Sequence, residues 1–317
     1  MKALTLNEVA AWLRERDHYV ILTHRRPDGD TIGSAVALCR GLRSLGKEAW
    51  VLNNPQFTPK FAPFLESLIV EELPENSLIL SVDIATEGLL PFNGIELADK
   101  VDLLMDHHGR NSGFAKLGYV DPTAAACGEI ILELLTLMGV EPDKAIGEAV
   151  YVAVSTDTGC FRYSNTTAET LMAAATCKNW GADTFTINRV FFMTKRPARL
   201  KLDAYLANTT EFYADGIVAV SMIPNAVREE LELTQDDIDD ISGFGREIEG
   251  VEIAVMIRQE TEGGKLSVRT SPSYDASAIC AKLGGGGHKA AAGATVPGGI
   301  REAKEAILRV LTEMELI

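Results

Sequence analysis

The chain has 317 residues, of which 46% are hydrophobic and 24% are charged, and this is the composition of a globular protein, not of a disordered one. Its length predicts two domains. The formal net charge of -15 at pH 7 would repel long polyanions, so a protein that coats long duplex nucleic acid is disfavoured. A small anionic ligand, held by a few arginines and a metal, remains compatible with this charge.

The sequence carries no signal of secretion or membrane insertion. No basic segment followed by an apolar one opens the chain, and no apolar run approaches the roughly 18 residues of a membrane span. The cysteines are odd in number and lack a CxxC pair, which predicts reduced packing residues at Cys39, Cys127, Cys160, Cys177 and Cys280. We expect a cytoplasmic protein without membrane contact, and a homodimer is compatible with the sequence.

The first part of the chain alternates short apolar strands with helical patterns. Thr5-Leu6-Asn7-Glu8 fits a capping box, and Gly46 fits a helix C-cap. The predicted strands are 19–23, 48–52, 77–82 and 101–105, followed by a short piece at 118–120. The predicted helices are 5–16, 31–45, 124–137, 142–154 (with Pro142 in its first turn) and 167–180, and 53–63 is a predicted loop.

Alternating strands and helices predict an α/β fold, with a mostly parallel N-terminal sheet and helices on both of its faces. The later pattern differs and predicts a smaller C-terminal α+β domain. Its predicted strands are 216–222, 251–257 and 265–270, the last two joined by a hairpin at Glu262-Gly263-Gly264, and its predicted helices are 275–283 and 301–314. The predicted domains are 1–188 and 211–317, joined by a charged helical connector at 189–210.

Polar side chains cluster just beyond the predicted strands. His24, Asp28 and Asp30 follow the first strand, Asp83 follows the third, and Asp106-His107-His108 follows the fourth. Asp157 lies in Ser155-Thr156-Asp157-Thr158-Gly159, after a helix. Because ligands bind outside the carboxyl ends of parallel strands, we expect these side chains to converge on one edge of the sheet.

Each acidic residue alone has an ordinary structural explanation, because aspartate caps helices and forms turns. A single histidine after a strand is likewise more often a hydrogen-bonded partner than a ligand. Convergence of all the clusters favours a metal site. Imidazoles and carboxylates without thiolates suit Mn²⁺, with Mg²⁺ or Co²⁺ as alternatives. Two ions roughly 3.5–4 Å apart that share one carboxylate would use all of these groups.

These patterns resemble a known family. His24-x3-Asp28-x-Asp30, Asp83, Asp106-His107-His108 and the Asp157 segment resemble the four motifs of the DHH phosphoesterase superfamily. Gly284-Gly285-Gly286-Gly287-His288, with Ala290-Ala291-Ala292-Gly293 after it, resembles the signature of the DHH-associated C-terminal domain. The order and spacing are most similar to the NrnA type, which comprises bifunctional oligoribonucleases and pAp phosphatases, and the resemblance covers essentially the whole chain.

The resemblance implies a role for each of these residues, with 1–188 as the metal-binding catalytic domain and 211–317 as the substrate-binding one. The ligands of one metal ion would be His24, Asp28 and Asp83. Those of the other would be Asp30, Asp83, His107 and Asp157, so Asp83 would bridge the two ions. His108 would face the scissile phosphate, and Asp106 would orient a neighbouring imidazole.

The four consecutive glycines are most simply a flexible linker. Their flanks are helical and alanine-rich, however, and successive glycine N–H groups beside His288 could cradle a phosphate. Arg269 and Ser267, on the same side of their strand, could meet that phosphate. In the resembled family, the region of Gly285, Gly286, Gly287 and His288 holds the end of the nucleotide away from the scissile bond. Thr270 stands where a serine is expected.

Two further arginines, Arg110 and Arg162, are candidates for substrate phosphate contacts, and the alternative interpretation is that they are solvated surface arginines. The expected enzyme cleaves short 5′-phosphorylated oligonucleotides such as pApA to mononucleotides, and acts on the 3′-phosphate of pAp. Alternatives within enzymes are a cyclic or linear dinucleotide phosphodiesterase and a pyrophosphatase or short-chain polyphosphatase. The alternative outside enzymes is a metal-dependent nucleotide sensor.

Overall fold

The computed structural model describes residues 1–238, 241–261 and 263–317. The chain folds into two compact units, Met1–Thr194 and Lys195–Ile317. The predicted connector, 189–210, is divided between them, and its boundaries stay a prediction. In the described part of the chain, no helix has both the length and the apolar surface needed to span a membrane.

A seven-stranded sheet lies at the centre of the first unit, and all of its strand pairs are parallel. Its strands are β1 (Lys2–Ala3), β2 (Tyr19–Leu22), β3 (Ala49–Leu52), β4 (Ile69–Val70), β5 (Leu78–Val82), β6 (Leu103–Asp106) and β7 (Leu117–Val120). Their order across the sheet is β1-β7-β6-β5-β2-β3-β4. After β2, the chain adds β3 and β4 on one side, whereas β5, β6 and β7 lie on the other side. The strand order therefore reverses between β2 and β5, and the crevice at such a switch point is where parallel α/β sheets bind ligands.

Most helices of the first unit begin close to the predicted positions, but the two short ones at 62–65 and 184–188 were not predicted. The helices are α1 (Leu6–Arg14), α2 (Gly29–Ser44), α3 (Ala62–Leu65), α4 (Cys127–Leu137), α5 (Lys144–Asp157), α6 (Ala168–Asn179) and α7 (Thr184–Asn188). The predicted capping box opens α1, since Thr5 and Glu8 exchange hydrogen bonds. Asp143 caps α5, so Pro142 lies outside that helix and the prediction of a proline in its first turn is wrong.

Both faces of the sheet are covered, as predicted, but by different elements. On one face, α1, α2, α4 and α5 bury Tyr19 and Ile21 in the largest hydrophobic cluster. On the other face, Val20 packs in a cluster with residues of two short 3₁₀ helices, Glu87–Leu89 and Ile95–Lys100. Successive strand residues point to opposite faces, so β2 contributes to both clusters.

The N-terminus of α2 and the C-terminus of α5 approach each other closely. A Cβ atom on Gly29 would lie 2.3 Å from the Oγ1 atom of Thr156, so only glycine fits at this position. Gly29 lies between Asp28 and Asp30, and Thr156 precedes Asp157. The close approach therefore brings carboxylates from two helices to the same end of the sheet.

The described residues of the second unit contain a six-stranded mixed sheet with the order β12-β13-β11-β10-β9-β8. Its strands are β8 (Glu211–Tyr213), β9 (Val218–Ile223), β10 (Ile253–Glu260), β11 (Gly263–Thr270), β12 (Gly286–Gly287) and β13 (Ala291–Val296). Its helices are α8 (Pro197–Thr209), α9 (Asn225–Glu230), α10 (Ala276–Ala281) and α11 (Ile300–Glu313). β10 and β11 pair antiparallel, as the hairpin signal predicted, although Glu262 lies outside the described residues.

The core of the second unit forms where α10 and α11 cover one face of this sheet. Val255 and Val268 pack there with Ile279 of α10 and Leu311 of α11. A separate cluster contains Leu202 of α8. A mixed sheet with helices packed on it confirms the predicted α+β fold of this part of the chain.

Candidate metal centre

His24, Asp28 and Asp83 form a first cluster at the switch point between β2 and β5. Their candidate ligand atoms all lie within 4.8 Å of one another. The Nε2 atom of His24 is 3.5 Å from Oδ1 of Asp28 and 3.7 Å from Oδ2 of Asp83. The Nδ1 atom of His24 is 2.8 Å from the carbonyl oxygen of Arg25, which can only accept, so Nδ1 carries a proton and Nε2 is the nitrogen that faces the two carboxylates.

Asp30, His107 and Asp157 form a second cluster beside the first. The Nε2 atom of His107 lies 3.7 Å from Oδ2 of Asp30 and 3.7 Å from Oδ2 of Asp157. The Nδ1 atom of His107 donates to the carbonyl oxygen of Ala124 at 3.2 Å, which again leaves Nε2 free to act as a ligand. Asp157 lies in the last turn of α5, which extends three residues beyond the predicted helix 142–154.

Asp83 lies between the two clusters. Its Oδ1 atom is 3.5 Å from Nε2 of His107, while its Oδ2 atom faces His24. The side chain is 3% exposed, and Oδ1 has no hydrogen-bond partner. Its backbone φ of 58° is in the left-handed region, which is uncommon for a residue other than glycine and is characteristic of functional sites. A buried carboxylate oxygen without a partner is costly unless a cation binds to it.

The structure explains why the sequence at α2 contains two aspartates. Asp28 caps the helix, and its Oδ1 atom accepts hydrogen bonds from the N–H groups of Asp30 and Thr31. Asp30 is 1% exposed and accepts from the first two N–H groups of α4, Cys127 at 2.7 Å and Gly128 at 3.0 Å. The positive end of the α4 dipole therefore faces the Asp30 carboxylate. Ala126 precedes α4 and offers no side-chain cap, so no local pattern predicted this contact.

The buried negative charge of the two clusters shifts several pKa values. Burial and the Asp157 carboxylate raise the pKa of Asp30 to about 7. Burial and the Asp30 carboxylate raise the pKa of Asp83 well above its usual range. Burial alone would lower the pKa of His24, but the carboxylates of Asp28 and Asp83 raise it to about 10. The carboxylates thus repel one another and attract protons, and a divalent cation would relieve the same repulsion.

The donor set also fits divalent cations in its spacing and chemistry. Ligand atoms held about 2.1 Å from one ion lie about 3.0–3.5 Å apart, so the 3.5–3.7 Å separations are close to those of a ligand shell. They are too long for hydrogen bonds between the same groups. Carboxylate oxygens and imidazole nitrogens suit Mn²⁺ and similar ions. Both clusters therefore qualify as halves of a two-metal centre that share Asp83.

His108 and Asp106 lie next to this centre and interact with each other. The Nδ1 atom of His108 donates to Oδ1 of Asp106 at 2.8 Å, and the same oxygen accepts from the N–H group of His107. Asn111, which the sequence did not single out, donates to Oδ2 of Asp106 at 2.6 Å. Burial would raise the pKa of Asp106, but its hydrogen bond with His108 lowers it, so Asp106 stays ionised. Asp106 thereby fixes the orientation of the half-exposed His108 imidazole.

The two predicted arginines of the first unit lie on its surface. Arg110 is exposed, and Arg162 is exposed with its Nε atom donating to the carbonyl oxygen of Gly159 at 2.6 Å. Neither guanidinium group makes a hydrogen bond or ion pair with the metal-ligand candidates, all of which belong to the first unit, where every residue is described. Their expected contact with substrate stays a prediction.

The glycine run of the second unit is an ordered edge strand, so the linker alternative is wrong. Gly286 and Gly287 form β12, which pairs with Gly293 and Ala292 of β13. A Cβ atom on Gly285 would lie 2.1 Å from the carbonyl oxygen of Gly293, so this position requires glycine. The turn that follows is closed by a hydrogen bond from the His288 N–H group to the Ala291 carbonyl oxygen at 2.8 Å.

Ser267 and Arg269 lie close to this edge strand. Both belong to β11, where they pair with Gly293 and Ala291 of β13. They are two residues apart and therefore point to the same face of the sheet. Ser267 is buried, Arg269 is half-buried and His288 is exposed. The predicted phosphate-binding residues of the second unit thus share one region of its sheet.

A parallel α/β sheet with paired carboxylate–imidazole clusters at its switch point is the architecture of a divalent-metal hydrolase. Two family models match the chain: the N-terminal domain of the DHH family over residues 18–154 and the DHHA1 domain over residues 215–314.

Named relatives extend over most of the chain. It is 36% identical over an alignment of 298 residues to the bifunctional oligoribonuclease and PAP phosphatase NrnA of Thermus thermophilus, with 92% of this chain and 89% of the relative covered. It is 25% identical to the Mycoplasma genitalium protein of the same name, with 93% of this chain and 94% of the relative covered. The fold also matches the crystal structure of an exopolyphosphatase-related protein from Bacteroides fragilis, with a TM-score of 0.88 and 23% identity over 98% of this chain and 96% of that one.

The chain therefore belongs to the DHH family of phosphoesterases, in which its N-terminal DHH domain is combined with a C-terminal DHHA1 domain. It is an enzyme, a hydrolase of phosphate esters.

Proposed function

We propose that this enzyme hydrolyses short 5′-phosphorylated oligoribonucleotides to mononucleotides and removes the 3′-phosphate of pAp. The observation that carries the proposal is the pair of clusters that share Asp83, together with the glycine edge strand in the second unit. The relatives named above as oligoribonucleases and PAP phosphatases support the same substrate class. We also propose that the enzyme acts in the cytoplasm as a monomer or a homodimer. It would bind neither membranes nor long duplex nucleic acid.

Divalent ions, with Mn²⁺ as the proposed metal, would be held by the two clusters. One ion would bind His24, Asp28 and Asp83, and the other would bind Asp30, Asp83, His107 and Asp157. When bound, such a pair supplies Lewis acidity that activates water and neutralises charge on the phosphoryl oxygens. The Nδ1 hydrogen bonds of His24 and His107 keep each Nε2 lone pair directed at the centre.

His108 is the proposed catalytic side chain that does not hold metal. Its Nδ1 atom is committed to the Asp106 carboxylate, so its Nε2 atom is the one that can contact substrate. With Nδ1 held by the Asp106 carboxylate, the Nε2 atom of His108 is placed to donate a hydrogen bond or a proton to the leaving oxygen. Asp106 acts through His108 and does not need to touch the substrate.

The second unit provides the proposed recognition of the nucleotide. Arg269, Ser267, His288 and the backbone of Gly285, Gly286 and Gly287 form the proposed phosphate site. Arginine recognises phosphate through paired donors, and glycine N–H groups can approach an anion without obstruction from side chains. Arg110 and Arg162 are proposed as further phosphate contacts from the first unit.

One substrate panel tests the proposal: pApA, pAp, a longer oligomer, cyclic di-AMP and pyrophosphate, each with Mn²⁺ and after removal of metal. We expect hydrolysis of pApA and pAp that disappears with the metal and returns when Mn²⁺ is added. Activity on pyrophosphate alone would overturn the nucleotide assignment, and preference for cyclic di-AMP would move the enzyme to the dinucleotide phosphodiesterases. Tight nucleotide binding without turnover would make it a sensor.

A further inference from the structure

An exposed asparagine, Asn165, connects two segments that carry metal-ligand candidates. Its Nδ2 atom is 3.2 Å from the carbonyl oxygen of Ala125 and 3.2 Å from the carbonyl oxygen of Asp157. Both partners can only accept hydrogen bonds, so the NH₂ group of the side chain must face them. One amide group thereby ties the last turn of α5 to the segment that precedes α4.

Both of these segments serve the second cluster. Asp157 is itself a member of that cluster. Ala125 follows Ala124, whose carbonyl oxygen accepts from Nδ1 of His107 and so determines which nitrogen of that imidazole is free. Asn165 is held in place by the tight turn that follows α5, where the N–H groups of Arg162 and Tyr163 both donate to the Thr158 carbonyl oxygen.

A second asparagine, Asn54, makes the corresponding contacts for the first cluster. It is 1% exposed and lies just after β3, next to β2. Its Nδ2 atom donates to the carbonyl oxygen of His24 at 2.9 Å and contacts Oγ1 of Thr23 at 3.2 Å. Its Oδ1 atom accepts from the N–H group of Gln56 at 3.0 Å, which fixes the orientation of the amide. These contacts hold the backbone that carries the His24 imidazole.

We propose that Asn165 and Asn54 are positioning residues, each acting on a different ion of the two-metal centre. Asn165 orients Asp157 and His107 for one ion, and Asn54 orients His24 for the other. The proposal rests on the division of ligands in the proposed function. It adds that the affinities of the two ions are set by separate supports and can be changed one at a time.

Hydrogen-bond partners of this kind orient a ligand before the ion arrives. Without them, the ligand must give up conformational freedom when the ion binds, and the affinity falls. Losing such a partner typically costs about 10–100-fold in metal affinity. We therefore expect each asparagine-to-alanine substitution to lower the affinity for one Mn²⁺ ion by about 10-fold or more. The affinity for the other ion should change by less than about 2-fold.

Calorimetric titration of the metal-free, full-length protein with Mn²⁺ tests this assignment. Asn165→Ala and Asn54→Ala are measured alone and in two backgrounds, Asp28→Ala and Asp157→Ala, each of which removes a ligand of one ion. The loss of Mn²⁺ affinity caused by Asn165→Ala should persist in the Asp28→Ala background and vanish in the Asp157→Ala background. The Asn54 effect should show the opposite pattern, since it acts on the ion that Asp28 helps to hold.

Asn208→Ala is the matched control. The Nδ2 atom of Asn208 also donates to a backbone carbonyl oxygen, that of Ala204 at 2.8 Å, but it lies on α8 of the second unit. It should leave both Mn²⁺ affinities unchanged. Circular dichroism and thermal unfolding without metal check that each variant is folded, and the exposed Asn165 tests the assignment even if the buried Asn54→Ala does not fold.

The assignment would be overturned if Asn165→Ala bound both Mn²⁺ ions with native affinity, or if it lost affinity equally for both. Either result would leave the proposed metal centre intact. A native protein that binds no Mn²⁺ would overturn the metal centre and the positioning roles together. The two failures are therefore distinguishable in one set of titrations, without reference to any substrate.

Discussion

The proposed metal centre of the first unit and the glycine strand of the second hold their functional groups in opposite ways. At the metal centre, Asp30 and Asp83 are buried carboxylates with raised pKa values, and Asp83 also has a left-handed backbone. In the glycine strand, the exposed His288 follows residues that are ordered by backbone pairing with β13. The first site depends on side-chain charge that a cation must compensate, whereas the second depends on backbone shape that side chains would obstruct.

Asp83→Asn should have the largest effect, because Asp83 is the residue shared by the two clusters. We expect a loss of about 10³-fold or more in kcat/KM for pApA, together with weaker binding of both Mn²⁺ ions. Steady-state kinetics and calorimetry measure the two effects. Asp99→Asn, at an exposed position of the same unit, is the control. Near-normal activity of Asp83→Asn would mean that no ion depends on this carboxylate.

The metal-free protein should become less stable as pH rises, because its buried carboxylates then lose their protons. This tests whether the first site depends on side-chain charge. The pKa of Asp30 is raised to about 7, so its contribution to stability is lost as pH rises from about 4 through 7. The pKa of His24, raised to about 10, adds a further loss above about 6.5. From Asp30 alone, the unfolding free energy should fall by on the order of 3 kcal/mol.

Urea unfolding of the metal-free protein between pH 5 and pH 8 measures this loss. Saturating Mn²⁺ should restore stability at pH 8, and Asp30→Asn should flatten the pH dependence. A metal-free protein that gains stability over this range would contradict the raised pKa values.

Arg269→Ala and His288→Ala should weaken binding without impairing the chemical step, since they lie in the second unit. We expect KM for pApA to rise by about 10–100-fold, the equivalent of one charge-assisted hydrogen bond, with kcat nearly unchanged. A generic phosphodiester reporter that lacks a second phosphate should be cleaved at the native rate. Equal losses on both substrates would show that these residues support the fold instead of the nucleotide.

Substitutions of two neighbouring glycines should have the smallest effect, and each serves as a control for the other. Gly285→Ala places a Cβ atom 2.1 Å from the Gly293 carbonyl oxygen, whereas a Cβ atom on Gly286 would meet nothing within 4 Å. Gly285→Ala should destabilise the second unit by about 1–3 kcal/mol, and Gly286→Ala should stay within about 0.5 kcal/mol. Equal thermal unfolding of the two variants would mean that the run is a tolerant linker after all.

Much of the fold followed from local patterns in the sequence. Apolar strands that alternate with helices identified the parallel sheet, and polar residues at strand ends marked the edge where the structure brings His24, Asp83 and His107 together. Local patterns failed where long-range contacts decide the structure. Pro59–Phe61 and α3 form helical turns within a predicted loop, and the two glycines of β12 form a strand only because β13 lies beside them.

The positioning residues show the same limit. Asn54 and Asn165 are ordinary loop asparagines in the sequence, and they contact residues about 30 and 40 positions away, respectively. Asp157 was predicted to join the site, but its position beside Asp30 depends on the close approach of α2 and α5 that Gly29 permits. No pattern within a short window of sequence contains that information.

The order of strands in the first unit also has a consequence for folding kinetics. The ligand candidates extend from residue 24 to residue 157, and β2 pairs with β5 through residues far apart in the sequence, such as Tyr19 and Leu78. Parallel pairings of such separation form late and slowly. An ion that needs the assembled edge has little to bind in the folding transition state. Divalent metal should therefore prolong the lifetime of the native protein by slowing unfolding, and leave the rate of folding almost unchanged.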